Sequence, residues 1–371
     1  MNKFKLAIIM GTRPEIIRLS MVIKKSKNYF DLLLIHTGQN YDKNLKDIFF
    51  EDLELQQPDI YLNVVGGNFG ETMGNILSKS HDVLLEHKPN ALLVLGDTNS
   101  CLSAIIAKRL KIPIFHMEAG NRCFDLNVPE EINRKIVDHI ADINLPYTEN
   151  SRKYLINEGF TKDNIFVTGS PMAEILEHYK DKIDNSKILE KYNLEKNNYF
   201  VISAHREENI DIENKFTKLI NILNHIANKY DKKMIFSVHP RTLKKLKDKK
   251  IIFNENIIII EPENFCNYCC LQKNSYVVLS DSGTLAEESA ILQFSSISLR
   301  TSTERPEVFD KGNMVLCNLN IDIIDNCIEL ALKLNKNNII PYDYKETNTS
   351  DRIINIIFSY TDIIRTRTYN L

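Results

Sequence analysis

The stretch Leu6-Ala7-Ile8-Ile9-Met10-Gly11-Thr12-Arg13-Pro14-Glu15 decides how the rest of the chain is read. Five consecutive apolar residues suit a strand buried on both faces, as in a parallel sheet covered by helices. Gly11 ends the run, and Pro14 in the first turn suits the start of a helix. The pattern recurs. Leu32–Ile35, Ala91–Leu95, Ile112–Phe115 and Ile165–Val167 are further apolar runs, read here as strands. Met73, Ile76, Leu77, Val83 and Leu84 share one face at the helical period.

A second series begins at Tyr199–Ser203 and continues through Met234–Val238, Ile257–Ile260, Tyr276–Leu279 and Ser296–Leu299. Phe216, Leu219, Ile220, Leu223, Ile226 and Ala227 form a helical stripe between its first two strands. The polar stretch from Tyr179 to Asn198 separates the series. The expectation is an α/β chain with two Rossmann-like doubly wound domains, residues 1–178 and 179–350. A terminal helix over 351–371, with its stripe at Ile353, Ile354, Ile356 and Ile357, is expected to pack back on the first domain. The length of 371 residues suits two domains of roughly 170–190 residues each.

Charge and composition exclude several classes. Lys plus Arg number 47 and Asp plus Glu 49, a balance that argues against a polybasic nucleic-acid binder. No stretch approaches the about 20 apolar residues of a spanning helix, and Leu6–Met10 is too short for a signal-peptide core. The seven cysteines are an odd number and, with no secretory signal, are expected as reduced thiols in a cytoplasmic protein. Cys266, Cys269 and Cys270 lack a nearby fourth ligand for zinc, so buried thiols are the simpler reading.

Ligands of open parallel sheets bind beyond the carboxyl ends of the strands. The residues there are rich in charge. Arg13 and Arg18 follow the first strand and are candidates for phosphate contact, since a guanidinium fork binds phosphate oxygens in pairs. Asp97, Glu118 and Glu130 lie on neighbouring loops, and clustered carboxylates can serve as acid and base. Taken singly, Asp97 also reads as a turn residue and Glu130 as a first-turn helix acid. His205 and His239, flanked by Arg206 and Arg241, read as an anion-facing rim. Ser282-Gly283-Thr284 opens a helix whose amides can face an anion. Glu288, one turn deeper, can accept from ribose hydroxyls, although an ordinary capped helix reads equally well.

Together these strand ends resemble the non-hydrolysing UDP-N-acetylglucosamine 2-epimerase family over nearly the whole chain. The matching motifs are Gly11-Thr12-Arg13-Pro14-Glu15, Gly96-Asp97-Thr98, Glu118-Ala119-Gly120, Pro129-Glu130-Glu131 with Asn133-Arg134, His205-Arg206, His239-Pro240, Asp281-Ser282-Gly283 and Thr303-Glu304-Arg305-Pro306-Glu307. The resemblance implies a glycosyltransferase-B-like fold with a cleft between two domains, a homodimer, and a UDP-sugar substrate. It implies no cofactor and no metal. Asp97, Glu118, Glu130 and His205 match catalytic positions. Arg13, Ser282, Gly283, Thr284, Glu288 and Arg305 match UDP-binding positions, and Tyr268 falls where the family has an aromatic near the uracil.

This chain departs from the family at several points. Arg18 stands where Lys is frequent, and Thr284 where a second glycine is usual. Gly38-Gln39-Asn40-Tyr41-Asp42 differs from the Gln-His-Arg pattern tied to allosteric control by a second UDP-sugar. Asn121-Arg122-Cys123-Phe124-Asp125 followed by Val128-Pro129-Glu130-Glu131 resembles a capsule and O-antigen branch. That branch 2-epimerises UDP-2-acetamido-2,6-dideoxy-L-talose to UDP-N-acetyl-L-fucosamine. Phe124 could suit a C6 methyl or serve simple packing. The alternatives are UDP-N-acetylglucosamine and UDP-N-acetylmannosamine interconversion, a UDP-sugar-dependent glycosyltransferase, and a non-catalytic UDP-sugar-binding protein.

Overall fold

The apolar run at the N-terminus is strand β1, Lys5–Met10, and five of its six residues are buried. In the computed structural model, which describes residues 4–38, 43–126 and 128–371, β1 lies inside a six-stranded sheet. Its partners are β2 (Asp31–His36), β3 (Ile60–Tyr61), β4 (Ala91–Leu95), β5 (Ile114–Met117) and β6 (Ile143–Leu145). The order is β3-β2-β1-β4-β5-β6, and all pairs are parallel. Ile76 and Leu84, of the helix Phe69–His87, bury against it.

A second sheet repeats the plan. Its strands are β7 (Tyr199–Ser203), β8 (Lys233–Ser237), β9 (Ile257–Ile260), β10 (Val277–Ser280), β11 (Ser296–Ser298) and β12 (Val315–Leu316). The order is β12-β11-β10-β7-β8-β9, again parallel throughout. The stripe of the helix Glu213–Tyr230 enters this core through Phe216, Leu219, Leu223 and Ile226. A fully buried Leu, Ile or Phe contributes about 1.5–3 kcal/mol, so these stripes fix the helices against their sheets.

The chain divides into two compact units, Met1–Glu177 with Lys345–Leu371, and His178–Tyr344. The helix Thr349–Arg367 belongs to the first unit, with Ile353, Ile354 and Ile357 buried. Phe358 meets the Phe4 ring at 5.5 Å, and Lys25 bonds Asp351 at 2.7 Å. Glu174 accepts from Ser350 N at 2.8 Å, which ties the start of this helix down.

Three details differ from the pattern reading. Ile165–Val167 is not a strand; Ile165 makes one isolated bridge to Asn144. The outer strand is instead β6, whose central Asn144 breaks any apolar run; the Asn144 amide donates to Asp138 O at 3.1 Å. β3 and β12 have two residues each, too few for any period to show. Gln39, Asn40, Tyr41 and Asp42 lie outside the described residues.

In both sheets the topology reverses beside the first strand, between β1 and β4 and between β7 and β10. Such switch points open a crevice at the carboxyl ends, where ligands bind.

Candidate active site

In the first unit, β1 ends at Gly11-Thr12, and Glu15 of the helix Arg13–Ser26 turns back onto that turn. Its Oε2 accepts from Gly11 N at 3.0 Å, Thr12 N at 2.9 Å and Thr12 Oγ1 at 2.8 Å. This is a capping box drawn into the interior. Glu15 is 1% exposed. Burial raises its pKa to about 7, against partial relief from the bonds with Thr12, Gly11 and Thr98. Arg13 is half-buried, with its guanidinium 5.6 Å from the Phe49 ring centroid.

Glu118 follows β5 with φ +62, a left-handed backbone that is uncommon for a residue other than glycine. Strain of this kind persists where surrounding contacts over-determine it. Here they do. Arg18 Nη1 bonds Glu118 Oε2, and Asn121 Nδ2 donates to Oε1 at 3.2 Å. Gly96, across the adjacent strand end, has φ +70, and a Cβ there would make only an ordinary contact, 3.5 Å from Glu118 Oε2. Gly120 is required sterically, since a Cβ would meet Ser151 O at 2.5 Å.

Asp97 follows β4 and pairs with the buried Arg134 through Nη2. Arg134 comes from the helix Pro129–Ile140, which also presents Asn133; Asn133 Nδ2 donates to Asp97 O at 3.0 Å. The acid pair at the head of that helix splits. Glu131 is fully buried and accepts from Cys123 N at 3.1 Å and Arg134 Nη1 at 3.4 Å. Glu130 is half-buried in the first turn. Behind the loop, Asp138 meets His116 Nδ1 at 2.9 Å and Arg122 Nη1 at 2.8 Å. Burial alone would raise the Asp138 pKa, but these two partners together hold it below the ordinary carboxylate range.

In the second unit, Asp281 follows β10 and is completely buried. Its carboxylate accepts from His205 N at 3.1 Å, Arg206 N at 3.0 Å and Asn209 Nδ2 at 3.0 Å. His205 Nδ1 lies 3.4 Å from Asp281 Oδ1, and the imidazole is 42% exposed. One carboxylate thus holds the turn after β7 and presents the His205 ring outward.

Ser282 Oγ and Thr284 Oγ1 share a hydrogen bond of 3.0 Å ahead of the helix Leu285–Leu292. A Cβ on Gly283 would stand 3.7 Å from both Arg206 Nη2 and Glu304 Oε2. Glu288 is buried one turn in, with Oε2 accepting from Gln272 Nε2 at 2.8 Å. Tyr268 is half-buried on the helix Phe265–Lys273. Burial and then the Glu288 charge push its phenol up, against relief from Ser203. Arg305 is buried, 3.4 Å from Glu287 Oε2. His239 caps the helix Pro240–Asp248, its Nδ1 accepting from Arg241 N at 3.3 Å. Arg241 pairs with Asp211 at 2.6 Å on the surface.

The residues singled out in sequence therefore fall into two sets. Arg13, Arg18, Asp97, Glu118 and Glu130 stand at the β1, β4 and β5 ends of the first sheet or on the helix that follows. His205, Ser282, Gly283, Thr284, Glu288, Tyr268, Arg305 and His239 stand around the β7, β8 and β10 ends of the second, or on helices packed there. Sequence reasoning gave no role to Glu15, Asn121, Arg134, Gln272 or Asp281. Asp281 was detectable as the first residue past a core strand. Arg134 lies four residues after Glu130, within one helical turn.

The sequence signature of the UDP-N-acetylglucosamine 2-epimerase family matches residues 23–358. A UDP-N-acetylglucosamine 2-epimerase of Methanococcus maripaludis is 39% identical over 96% of this chain and 98% of its own length. The structure of UDP-N-acetylglucosamine 2-epimerase from Rickettsia bellii superposes with a TM-score of 0.92 at 40% identity, covering 100% of each chain. That of the Methanocaldococcus jannaschii enzyme, in complex with UDP-GlcNAc and UDP, gives a TM-score of 0.90 at 37% identity over 96% of this chain and 100% of the other. Strand ends, glycines and paired carboxylates thus sit on a fold shared along the full length of these relatives, and this chain belongs to the UDP-N-acetylglucosamine 2-epimerase family.

Proposed function

We propose that this isomerase interconverts C2 epimers of a UDP-linked 2-acetamido sugar. A carboxylate removes the C2 proton. The electron pair left behind forms the C1–C2 double bond as the C1–O bond to UDP breaks. UDP then adds back to C1 of the glycal, and C2 takes a proton on the opposite face. No net oxidation occurs, so atoms and electrons balance without a co-reactant. The observation that carries the reading is the pair of carboxylates on adjacent strand ends, each with its own buried arginine: Asp97 with Arg134, and Glu118 with Arg18. Acid and base roles need two such groups held apart in geometry and ionisation. Glu130 is the third proton-transfer candidate.

On this reading the second unit holds the leaving group. His205, set by Asp281, stabilises the departing diphosphate, and Ser282, Gly283 and Thr284 offer hydroxyls and helix-end amides to phosphate oxygens. Glu288 serves the ribose, Tyr268 the uracil, and Arg13, His239 and Arg305 add positive charge or donors. Arg18 acts through Glu118. A cytoplasmic homodimer goes with this assignment; among the described residues no helix is long and apolar enough to cross a membrane.

The finer proposal is conversion of UDP-2-acetamido-2,6-dideoxy-L-talose to UDP-N-acetyl-L-fucosamine for capsule or O-antigen synthesis. It rests on the loop Asn121–Asp125, where Phe124 is 69% exposed and edge-on to Tyr154 at 5.3 Å. The names of the relatives favour a second reading, UDP-N-acetylglucosamine to UDP-N-acetylmannosamine. One experiment tests both levels: each UDP-sugar is incubated with the protein in deuterated water. Deuterium at C2 of the recovered UDP-sugars is expected, with faster turnover of the 6-deoxy-L-talo substrate. Preference for the glucosamine compound would reverse the branch, and absence of C2 deuterium from both would overturn epimerisation.

A further inference from the structure

We infer that Asn121 is the positioning residue that sets two of the three candidate proton-transfer carboxylates of the first unit, Glu118 directly and Asp97 through Arg134, with Ser151 as its anchor. The inference rests on the reading of Glu118 as a proton-transfer group. Asn121 is 2% exposed, directly after the Glu118-Ala119-Gly120 turn. Its side chain touches Glu118: Nδ2 donates to Oε1 at 3.2 Å. Its backbone carbonyl accepts from Arg134 Nη1 at 3.3 Å, and Arg134 pairs with Asp97 through Nη2. One residue therefore joins the supports of the two carboxylates.

The hydrogen bonds around Asn121 have one consistent polarity. An ionised carboxylate only accepts, so the amide must present its NH2 to Glu118 and its oxygen to Ser151. Ser151 Oγ donates to that oxygen at 2.7 Å. Ser151 must then accept from Thr148 Oγ1, 3.2 Å away, and Thr148 in turn accepts from Ser151 N at 3.3 Å. The chain starts at the N-terminus of the helix Glu149–Asn157 and ends on Glu118. Arg122 Nη1 donates to Asn121 O at 2.8 Å and is itself held by Asp138 and Glu158, so the backbone of Asn121 is fixed too.

A donor aimed at the charged form of an acid favours that form. Asn121 thus favours the ionised form of Glu118 and fixes the orientation of its carboxylate. Among the described residues, the charged groups at this corner include Arg18 from the helix Arg13–Ser26, Arg122 on the Asn121 carbonyl and, on the neighbouring strand end, the Asp97–Arg134 pair. His116, two residues before Glu118, is turned to Asp138 and to Gly96 O at 2.8 Å.

The test is the pH profile of kcat/KM, read by C2 deuterium wash-in on whichever of the two UDP-sugars the protein turns over. Asn121→Asp keeps the shape but replaces the donor facing Glu118 with an acceptor. Asn121→Leu removes the amide, and Ser151→Ala removes only the anchor. UDP affinity, read separately, monitors folding. The expected result for Asn121→Asp is an acid limb moved up by about one pH unit and, below that limb, about tenfold lower turnover, with KM little changed. Asn121→Leu and Ser151→Ala are expected to move the limb in the same direction, Ser151→Ala by less. Wild-type kcat and limb in Asn121→Leu and Ser151→Ala, beside an inactive Glu118→Gln, would overturn the inference and leave the functional reading standing. Reduced kcat with an unmoved limb would also overturn it, since that is merely structural damage. Wild-type turnover in Glu118→Gln would remove the reading of Glu118 and this inference with it.

Discussion

Arg18 bonds Glu118 from a position one hundred residues earlier in the chain, and each side chain is only 7% exposed. The guanidinium comes from the first helix and the carboxylate from the strained turn after β5. Removing one member leaves the other charge buried. Arg18→Met is expected to destabilise the protein by about 3–5 kcal/mol. It should also cut turnover at least tenfold. Chemical denaturation and C2 deuterium wash-in would check the two effects separately; unchanged turnover would detach Arg18 from the chemistry.

Glu130 and Glu131 are adjacent and should behave oppositely. Glu130 is half-buried at the helix start, whereas Glu131 is locked among Cys123 N, Arg134 and Lys135. Glu130→Gln is expected to lose about 10²–10⁴-fold in turnover, the range of a general acid or base, with little change in melting temperature. Glu131→Gln is expected to lower the melting temperature, because a buried charge-assisted network is broken. The reverse pattern would exchange their roles.

Glu15 makes stability depend on pH. Its folded pKa, raised by burial to about 7, exceeds the ordinary value of 4.5. The folded state therefore binds the proton more tightly than the unfolded state does. Stability from this group is fully present below about pH 4.5 and is lost as pH rises toward 7, by on the order of 3 kcal/mol. Glu15→Gln keeps an acceptor for Gly11 and Thr12 without the buried charge. Melting curves from pH 5 to 8 should show the wild type losing stability relative to this variant. Parallel curves would reject the assignment.

Two glycines offer an internal control. Gly120 and Gly159 both have positive φ, +75 and +94. Alanine at Gly159 meets nothing within 4 Å, whereas alanine at Gly120 meets Ser151 O at 2.5 Å and the Leu155 side chain. Gly159→Ala is expected to cost about 1–2 kcal/mol from backbone strain alone. Gly120→Ala should cost that plus a further 1–3 kcal/mol, roughly, from forced displacement. Gly120→Ala should also disturb turnover, because the clash falls on the residue that anchors Asn121.

Much of the fold was legible because buried parallel strands are written as unbroken apolar runs. β1, β2, β4 and the central strands of the second sheet lie within a residue or two of those runs. β6 was not, because Asn144 interrupts it and its burial depends on a bond to Asp138. The strand ends were legible as a set of charged residues, since the topology of a parallel sheet gathers them on one edge. What each charge touches was not. Arg18 reads as a candidate phosphate contact from its place after β1; its bond to Glu118 is visible only in the structure. Arg241 reads as part of an anion rim, and its surface pair with Asp211 is visible only in the structure.

By itself the amino-acid sequence determined the two-sheet α/β architecture, the residues that stand past each strand, and the family whose motifs they carry. Those properties depend on local composition and on order along the chain. Tertiary structure alone decided which carboxylate has which partner: Arg134 on Asp97, Arg18 and Asn121 on Glu118, Asp281 beneath His205. Such pairings are set by distances of a few ångströms between residues up to a hundred positions apart. Hydrogen bonds of that range depend on register, helix rotation and buried geometry, which no spacing in the sequence expresses.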